Sequence, residues 1–205
     1  MDDELVLVIT RPELFNEKKD YFTGLMPINV NSKILRRISI YGYFKGRNFV
    51  ETSLGFQQII PYILIKQKDK FFMYKRLPKA NETRLHEKLS LGIGGHINTK
   101  DAEDSKSVLE SASKREFEEE INYQGTWNLK LLGFLNLDEN PVDQVHFGVV
   151  YIIEIENQNI EVKETHKIEK KGFYTLQELE PYKENMEEWS KVVFDYLKSQ
   201  NLAKV

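Results

Sequence analysis

The chain has 205 residues, 40% of them hydrophobic and 30% charged, with 12 Phe and 10 Tyr, a composition that supports one good core plus an elaboration and excludes wholesale disorder. Its net charge of -3 removes any global electrostatic drive toward nucleic acid, so none is expected as a partner. The absence of cysteine excludes disulfides, thiolate metal sites and cysteine nucleophiles, and fits a reducing, cytoplasmic setting.

The N-terminus opens Met1-Asp2-Asp3-Glu4, the reverse of a basic signal region. No apolar stretch approaches the roughly 20 residues of a membrane-spanning helix, so neither export nor a membrane partner is expected. Leu5 to Thr10 reads as a short strand, and the polar stretch from Pro12 to Asp20 has room for a short helix. Ile38, Ile40, Tyr41 and Tyr43, ahead of Gly46, suggest another short strand within residues 34 to 50. The signals sharpen from Phe56 onward. Ile59 to Ile65 and Phe71 to Tyr74, separated by a polar turn at Gln67 to Lys70, form a hairpin pattern. A charged, proline-containing connection from Lys75 to Lys88 leads to Leu89-Ser90-Leu91-Gly92-Ile93-Gly94-Gly95-His96-Ile97, where glycine is too dense for a plain strand.

Asn98 to Ser107 is a polar loop, with Ser105 or Ser107 as cap for a helix over residues 108 to 122. Strands follow at Trp127 to Leu135 and Val145 to Ile155, with turn chemistry at Asp138-Glu139-Asn140-Pro141 between them. A short strand at Gly172 to Thr175 and helical segments near residues 176 to 181 and 186 to 201 complete the chain. The alternation lacks strict βαβ regularity, so the expected class is α+β, with helices packed on a mixed β-sheet.

The predicted helix carries Arg115-Glu116-Phe117-Glu118-Glu119-Glu120-Ile121. At about 100° per residue, Glu116, Glu119 and Glu120 share one face, in line with Val108, Leu109 and Ala112 one to two turns earlier. A stripe that starts apolar thus becomes a carboxylate cluster. Its place in the last turns costs about 0.3–1 kcal/mol per anion against the helix dipole, and like charges at i, i+4 add about 0.2–0.5 kcal/mol. A cation would offset that crowding, and an oxygen-only ligand set suits Mg²⁺ or Mn²⁺, which in turn suits a phosphate substrate.

The stretch Arg115-Glu116-Phe117-Glu118-Glu119-Glu120-Ile121-Asn122-Tyr123 resembles the second half of the Nudix box, R-E-U-x-E-E-x-G-U, and Gly94-Gly95 is similar to the glycine pair that opens it. Two departures stand out. A family glutamate expected eight residues before the arginine is Ser107 here, separated from Gly95 by eleven residues instead of five, with Glu103, Asp104 or Glu110 as substitutes. Asn122 replaces the closing glycine, and Asn tolerates the left-handed conformation of a helix C-cap.

The resemblance implies a Nudix-like α/β/α sandwich over residues 51–205, with residues 1–50 as an N-terminal elaboration that leaves room for a homodimer. It implies Glu116, Glu119, Glu120 and the carbonyl of Gly94 as metal ligands and Arg115 as the residue that orients the glutamates. Glu119 is the carboxylate expected nearest the attacking water, and Glu164 or Glu169 the downstream base. Arg76, Arg84 and His96 are candidates for substrate contact, as is His146, although histidines satisfied locally and a solvated basic connection read the same way in sequence. The implied activity is metal-dependent cleavage of a diphosphate linkage in a nucleoside diphosphate joined to another moiety. The alternative is a non-catalytic nucleotide sensor, suggested by Ser107.

Overall fold

The computed structural model describes residues 3–29, 32–78, 87–103 and 107–202. Strand β1 (Leu5–Thr10) runs into a single helical turn, α1 (Arg11–Leu14), capped by the Thr10 side chain and primed by Pro12 at its start. After β2 (Gly24–Pro27) comes α2 (Lys33–Tyr41), then β3 (Tyr43–Gly46) and α3 (Arg47–Val50). The short strand expected within residues 34 to 50 is β3, from Tyr43 onward, whereas Ile38, Ile40 and Tyr41 are helical. Ile34 and Ile38 are buried while Ile40 is exposed, which is the i, i+4 spacing of one helical face and not alternation.

The hairpin pairs β4 (Phe56–Gln67) with β5 (Lys70–Arg76) across a two-residue loop at Lys68 and Asp69. Short strands β6 (Leu89–Ser90) and β7 (Gly92–Ile93) precede a 3-10 turn at Thr99–Ala102 and helix α4 (Val108–Glu120). Then come β8 (Ile121–Asn122), β9 (Trp127–Asn136), β10 (His146–Ile155), β11 (Glu161–Val162) and β12 (Ile168–Thr175). Helix α5 (Leu176–Leu179), a 3-10 stretch at Glu180–Asn185 and α6 (Glu188–Leu202) end the described chain. This is the α+β class expected, a mixed multistranded sheet with helices. Among the described residues no helix is long and apolar enough to cross a membrane.

The chain forms two compact units that do not follow sequence order. One holds residues 1–62, 94–115 and 131–150, and the other residues 63–93, 116–130 and 151–205. In the first, β1 pairs antiparallel with β3 (Val6 opposite Lys45) and with the start of β4 (Val8 opposite Gln58). Val6, Val8 and Val50 are fully buried with Phe56 against them, each such burial contributing roughly 1.5–3 kcal/mol. A second knot of aromatics joins Phe15, Phe22, Phe134 and Phe147 at centroid separations of 6.0–6.4 Å. In the other unit, β5 pairs antiparallel with β12, Phe72 opposite Phe173, and with β6. Phe72 stacks on Tyr74, and Phe117 meets Trp127 edge-on.

The glycine loop in the first unit is held to β1 by the Leu7 amide, which donates to the Ile97 carbonyl at 2.8 Å. Gly94 has φ +155°, and a Cβ there would lie 1.9 Å from the Pro61 carbonyl oxygen. Only glycine lets the two backbones approach so closely.

Candidate active site

Ser107, one of the two serines suggested as cap, accepts from the Glu110 amide at 3.4 Å and starts α4; Ser105 lies outside the described residues. Leu109, Ala112, Ser113, Glu116 and Phe117 form its buried side. Glu116 thus extends the apolar stripe into the protein, only 8% exposed, as the spacing implied. Glu118 and Glu119 are exposed and Glu120 is half-buried. Lys163 closes the end of the helix: its amide donates to the Glu120 carbonyl at 2.8 Å and its Nζ to the Glu118 carbonyl at 2.5 Å. These bonds satisfy two of the carbonyls a helix terminus leaves open. Asn122 departs from the expectation of a left-handed cap. The chain goes straight into β8, where Asn122 pairs with Glu161 of β11, and its φ is not positive. A strand pairing has taken over the work of the glycine.

Glu120 is the electrostatic centre of the cluster in the second unit. Its Oε2 is enclosed and finds no hydrogen-bond donor among the described residues. Burial pushes its pKa up to about 8; Arg76 and Lys167 oppose the rise, while Glu116 and Glu164 reinforce it. A sequestered carboxylate oxygen without a donor, flanked by two further carboxylates, matches what a hard divalent cation takes as ligand. Glu164 is half-buried and held by Lys167 Nζ at 2.7 Å. Glu169 instead lies exposed on β12, where Lys171 Nζ, at 2.6 Å, keeps its pKa low. Of the two proposed downstream carboxylates, Glu164 is the one whose charge reaches Glu120.

Arg76 is tied down in the same unit. Its Nε donates at 3.2 Å to Glu187, which is 5% exposed, and its guanidinium lies 5.4 Å over the Tyr74 ring. Ser90 Oγ, 2.5 Å from the other Glu187 oxygen, completes that buried cluster. Arg84, like Asp104, lies outside the described residues.

Arg115 belongs to the first unit, and its partner went unrecognised in the sequence. Its Nε and Nη2 donate to the two oxygens of Asp101 at 2.8 and 2.9 Å, and Nη2 also reaches the His96 carbonyl at 3.0 Å. Asp101 is 3% exposed and is itself placed by the 3-10 turn, where its Oδ2 accepts from the Asn98 amide at 2.9 Å. The supporting acid sought at or near Ser107 is therefore Asp101. The signal was present: five residues separate Gly95 from Asp101, the family spacing, so the six extra residues fall after the acid. Glu103 and Glu110 are exposed and do not take this place.

His96 is half-buried, its Nε2 2.9 Å from Gln58 Oε1. Burial, the positive charge of Arg47 and then His146 lower its pKa to about 3, so the ring is neutral. His146 Nδ1 donates to the Val142 carbonyl at 2.7 Å.

No family model matches the chain. It is 35% identical over 202 residues to Protein YmaB of Bacillus subtilis (strain 168), covering 95% of this chain and 98% of that one. Among solved structures, the crystal structure of Tm1382, a candidate Nudix hydrolase, superposes with a TM-score of 0.80 at 29% identity, over 95% of this chain and 98% of that one. With the box residues on α4 and near full-length likeness to both relatives, the chain belongs to the Nudix hydrolase family, as a pyrophosphohydrolase.

Proposed function

We propose that the chain hydrolyses the phosphoric anhydride of a nucleoside diphosphate linked to a second moiety, releasing a nucleoside monophosphate and a phosphorylated product. Nudix hydrolases use divalent metals, and Glu116, Glu119 and Glu120 are the residues proposed to hold Mg²⁺ or Mn²⁺. The single observation that carries this reading is the enclosed Glu120 Oε2, with no donor among the described residues and with Glu116 and Glu164 as electrostatic neighbours. Such a group is unfavourable unless a cation accompanies it.

When bound, the ion supplies Lewis-acid polarisation of the phosphate oxygens and a water of lowered pKa. The chain's own groups do the rest. Glu119, the member of the cluster open to solvent, is the carboxylate proposed to face the attacking water. Glu164, whose carboxylate is held by Lys167, is proposed to accept the proton. Arg115 acts as a positioning residue, since its guanidinium grips Asp101 and the His96 carbonyl and fixes the glycine loop against the middle of α4. The sensor reading rests on Ser107, and the pairing of Asp101 with Arg115, which supplies an acid to the box, favours the hydrolase.

The test is turnover of a panel of nucleoside diphosphate derivatives by the purified chain with Mg²⁺ or Mn²⁺, the products separated by chromatography. Turnover that Glu119→Gln and Glu120→Gln abolish supports the assignment. Tight nucleotide binding without turnover in the unmodified protein would establish the sensor instead.

A further inference from the structure

The first unit contains a cluster that the carboxylate chemistry of α4 does not use. Glu51, His96 and His146 each present one ligand atom, all within 4.8 Å of one another. His96 Nε2 lies 3.4 Å from His146 Nε2 and 3.9 Å from Glu51 Oε1, and Gln58 Oε1 adds a fourth electron-rich atom 2.9 Å from His96 Nε2. They come from four places in the sequence: the end of α3, the start of β4, the glycine loop and the first residue of β10.

The Gln58 oxygen only accepts, so the 2.9 Å contact places the His96 proton on Nε2, and a dication there takes that proton's place as the ring shifts to the Nδ1-protonated form. A carbonyl only accepts, so the 2.7 Å contact between His146 Nδ1 and the Val142 oxygen places the ring proton on Nδ1. That leaves a lone pair on Nε2, aimed at His96. The same arrangement orients metal-binding histidines, whose outer ring nitrogen donates to a backbone carbonyl. Gln58 is fully buried and turns its oxygen to the cluster while its Nε2 finds no acceptor among the described residues. An orphaned buried donor costs about 1–3 kcal/mol, and the amide keeps its oxygen toward the two rings despite it.

The geometry points to a transition-metal site made by His96, His146 and Glu51, with Gln58 Oε1 as fourth donor, that takes Zn²⁺ or a similar borderline dication. Ligand bonds of about 2.0–2.1 Å in a tetrahedral site put donor atoms about 3.3 Å apart, and the separations of 2.9, 3.4 and 3.9 Å bracket that value. Imidazole donors select Zn²⁺-like ions, whereas carboxylate-only sets favour Mg²⁺ or Mn²⁺. Arg47 Nε holds Glu51 Oε1 at 3.0 Å, and Glu4 takes the same guanidinium at 2.9 Å. The two carboxylates and one guanidinium leave one net negative charge for a dication. The ion would clamp the loop behind Gly94 and Gly95 to β4 and β10, on the residue whose carbonyl Arg115 grips.

The test uses the full chain stripped with a chelator and titrated with Co²⁺, a coloured stand-in for Zn²⁺. One equivalent should produce visible ligand-field absorption that equimolar Zn²⁺ removes and millimolar Mg²⁺ leaves in place. His96→Gln and His146→Gln should each abolish the band, and Glu119→Gln should keep it. A band that survives both histidine changes, a band lost in Glu119→Gln, or no band at all overturns the site. A measurement on the unmodified protein covers variants that fail to fold. Zn²⁺ should shift the Nε2 ¹⁵N resonances of His96 and His146, out of four histidines in the chain, and unchanged resonances overturn the proposal.

Discussion

Arg115 and Asp101 meet through two parallel hydrogen bonds, 2.8 and 2.9 Å long, across fourteen residues of sequence. This fork pins the glycine loop and the polar loop after it to the middle of α4. Asp101→Asn keeps the shape and removes one acceptor charge, leaving Arg115 short of its partner. Because the carboxylate is buried, the expected loss is roughly 3 kcal/mol of folding stability in urea titration. Arg115→Lys should lose the bidentate geometry and be nearly as damaging. Ser107→Ala, by contrast, removes only a cap and should cost about 1 kcal/mol.

Glu120 gives a pH dependence whose sign follows from its raised pKa. Folded, the group titrates near 8; its ordinary value is 4.5. Between these values the native state binds the extra proton, so the contribution of Glu120 to metal-free stability is greatest below about pH 4.5 and falls as pH rises to about 8, then levels off. Thermal melts of the chelated protein should show this contribution as a decline between pH 5 and 8.5. Glu120→Gln should flatten the decline and raise the melting temperature at pH 8 while abolishing turnover. Saturating Mg²⁺ should stabilise the unmodified protein more at pH 8 than at pH 5.

Gly94→Ala places a methyl group 1.9 Å from the Pro61 carbonyl oxygen in a backbone conformation of φ +155°. Neither backbone can yield without disturbing β4 or the glycine loop. A loss on the order of 1–3 kcal/mol is expected in denaturant titration, with reduced turnover at temperatures where the variant is still folded.

The two downstream carboxylates separate cleanly. Glu164→Gln should lower kcat by roughly 10²-fold at pH 7 with little change in KM, the expected size for loss of a general base. Glu169→Gln should leave kcat unchanged, because that side chain is exposed and engaged by Lys171. Equal effects of the two substitutions would remove Glu164 from its assigned role.

The parts of the fold read correctly from sequence were those with strong periodicity. The hairpin of β4 and β5 and the long strand β10 are β-branched and buried along most of their length. The face shared by Glu116 and Ala112 follows from helical spacing alone. Residues 33 to 41 misled because Ile34, Ile38, Ile40 and Tyr41 are bulky and β-prone, and only burial reveals which two face inward. Asp101 is hidden to a count back from Arg115, which crosses the extra residues, and legible to a count forward from Gly95. The cluster of Glu51, Gln58, His96 and His146 had no sequence signal, since its members lie up to 95 residues apart and come together only through the fold.

The most direct measurement is anomalous diffraction at the manganese edge from crystals of the full chain soaked in Mn²⁺ near pH 8. A peak about 2.1 Å from carboxylate oxygens of Glu116 and Glu120 is expected, with Glu119 turned toward it. Manganese-supported turnover in solution, together with crystals that show no ion beside these three glutamates, would contradict it.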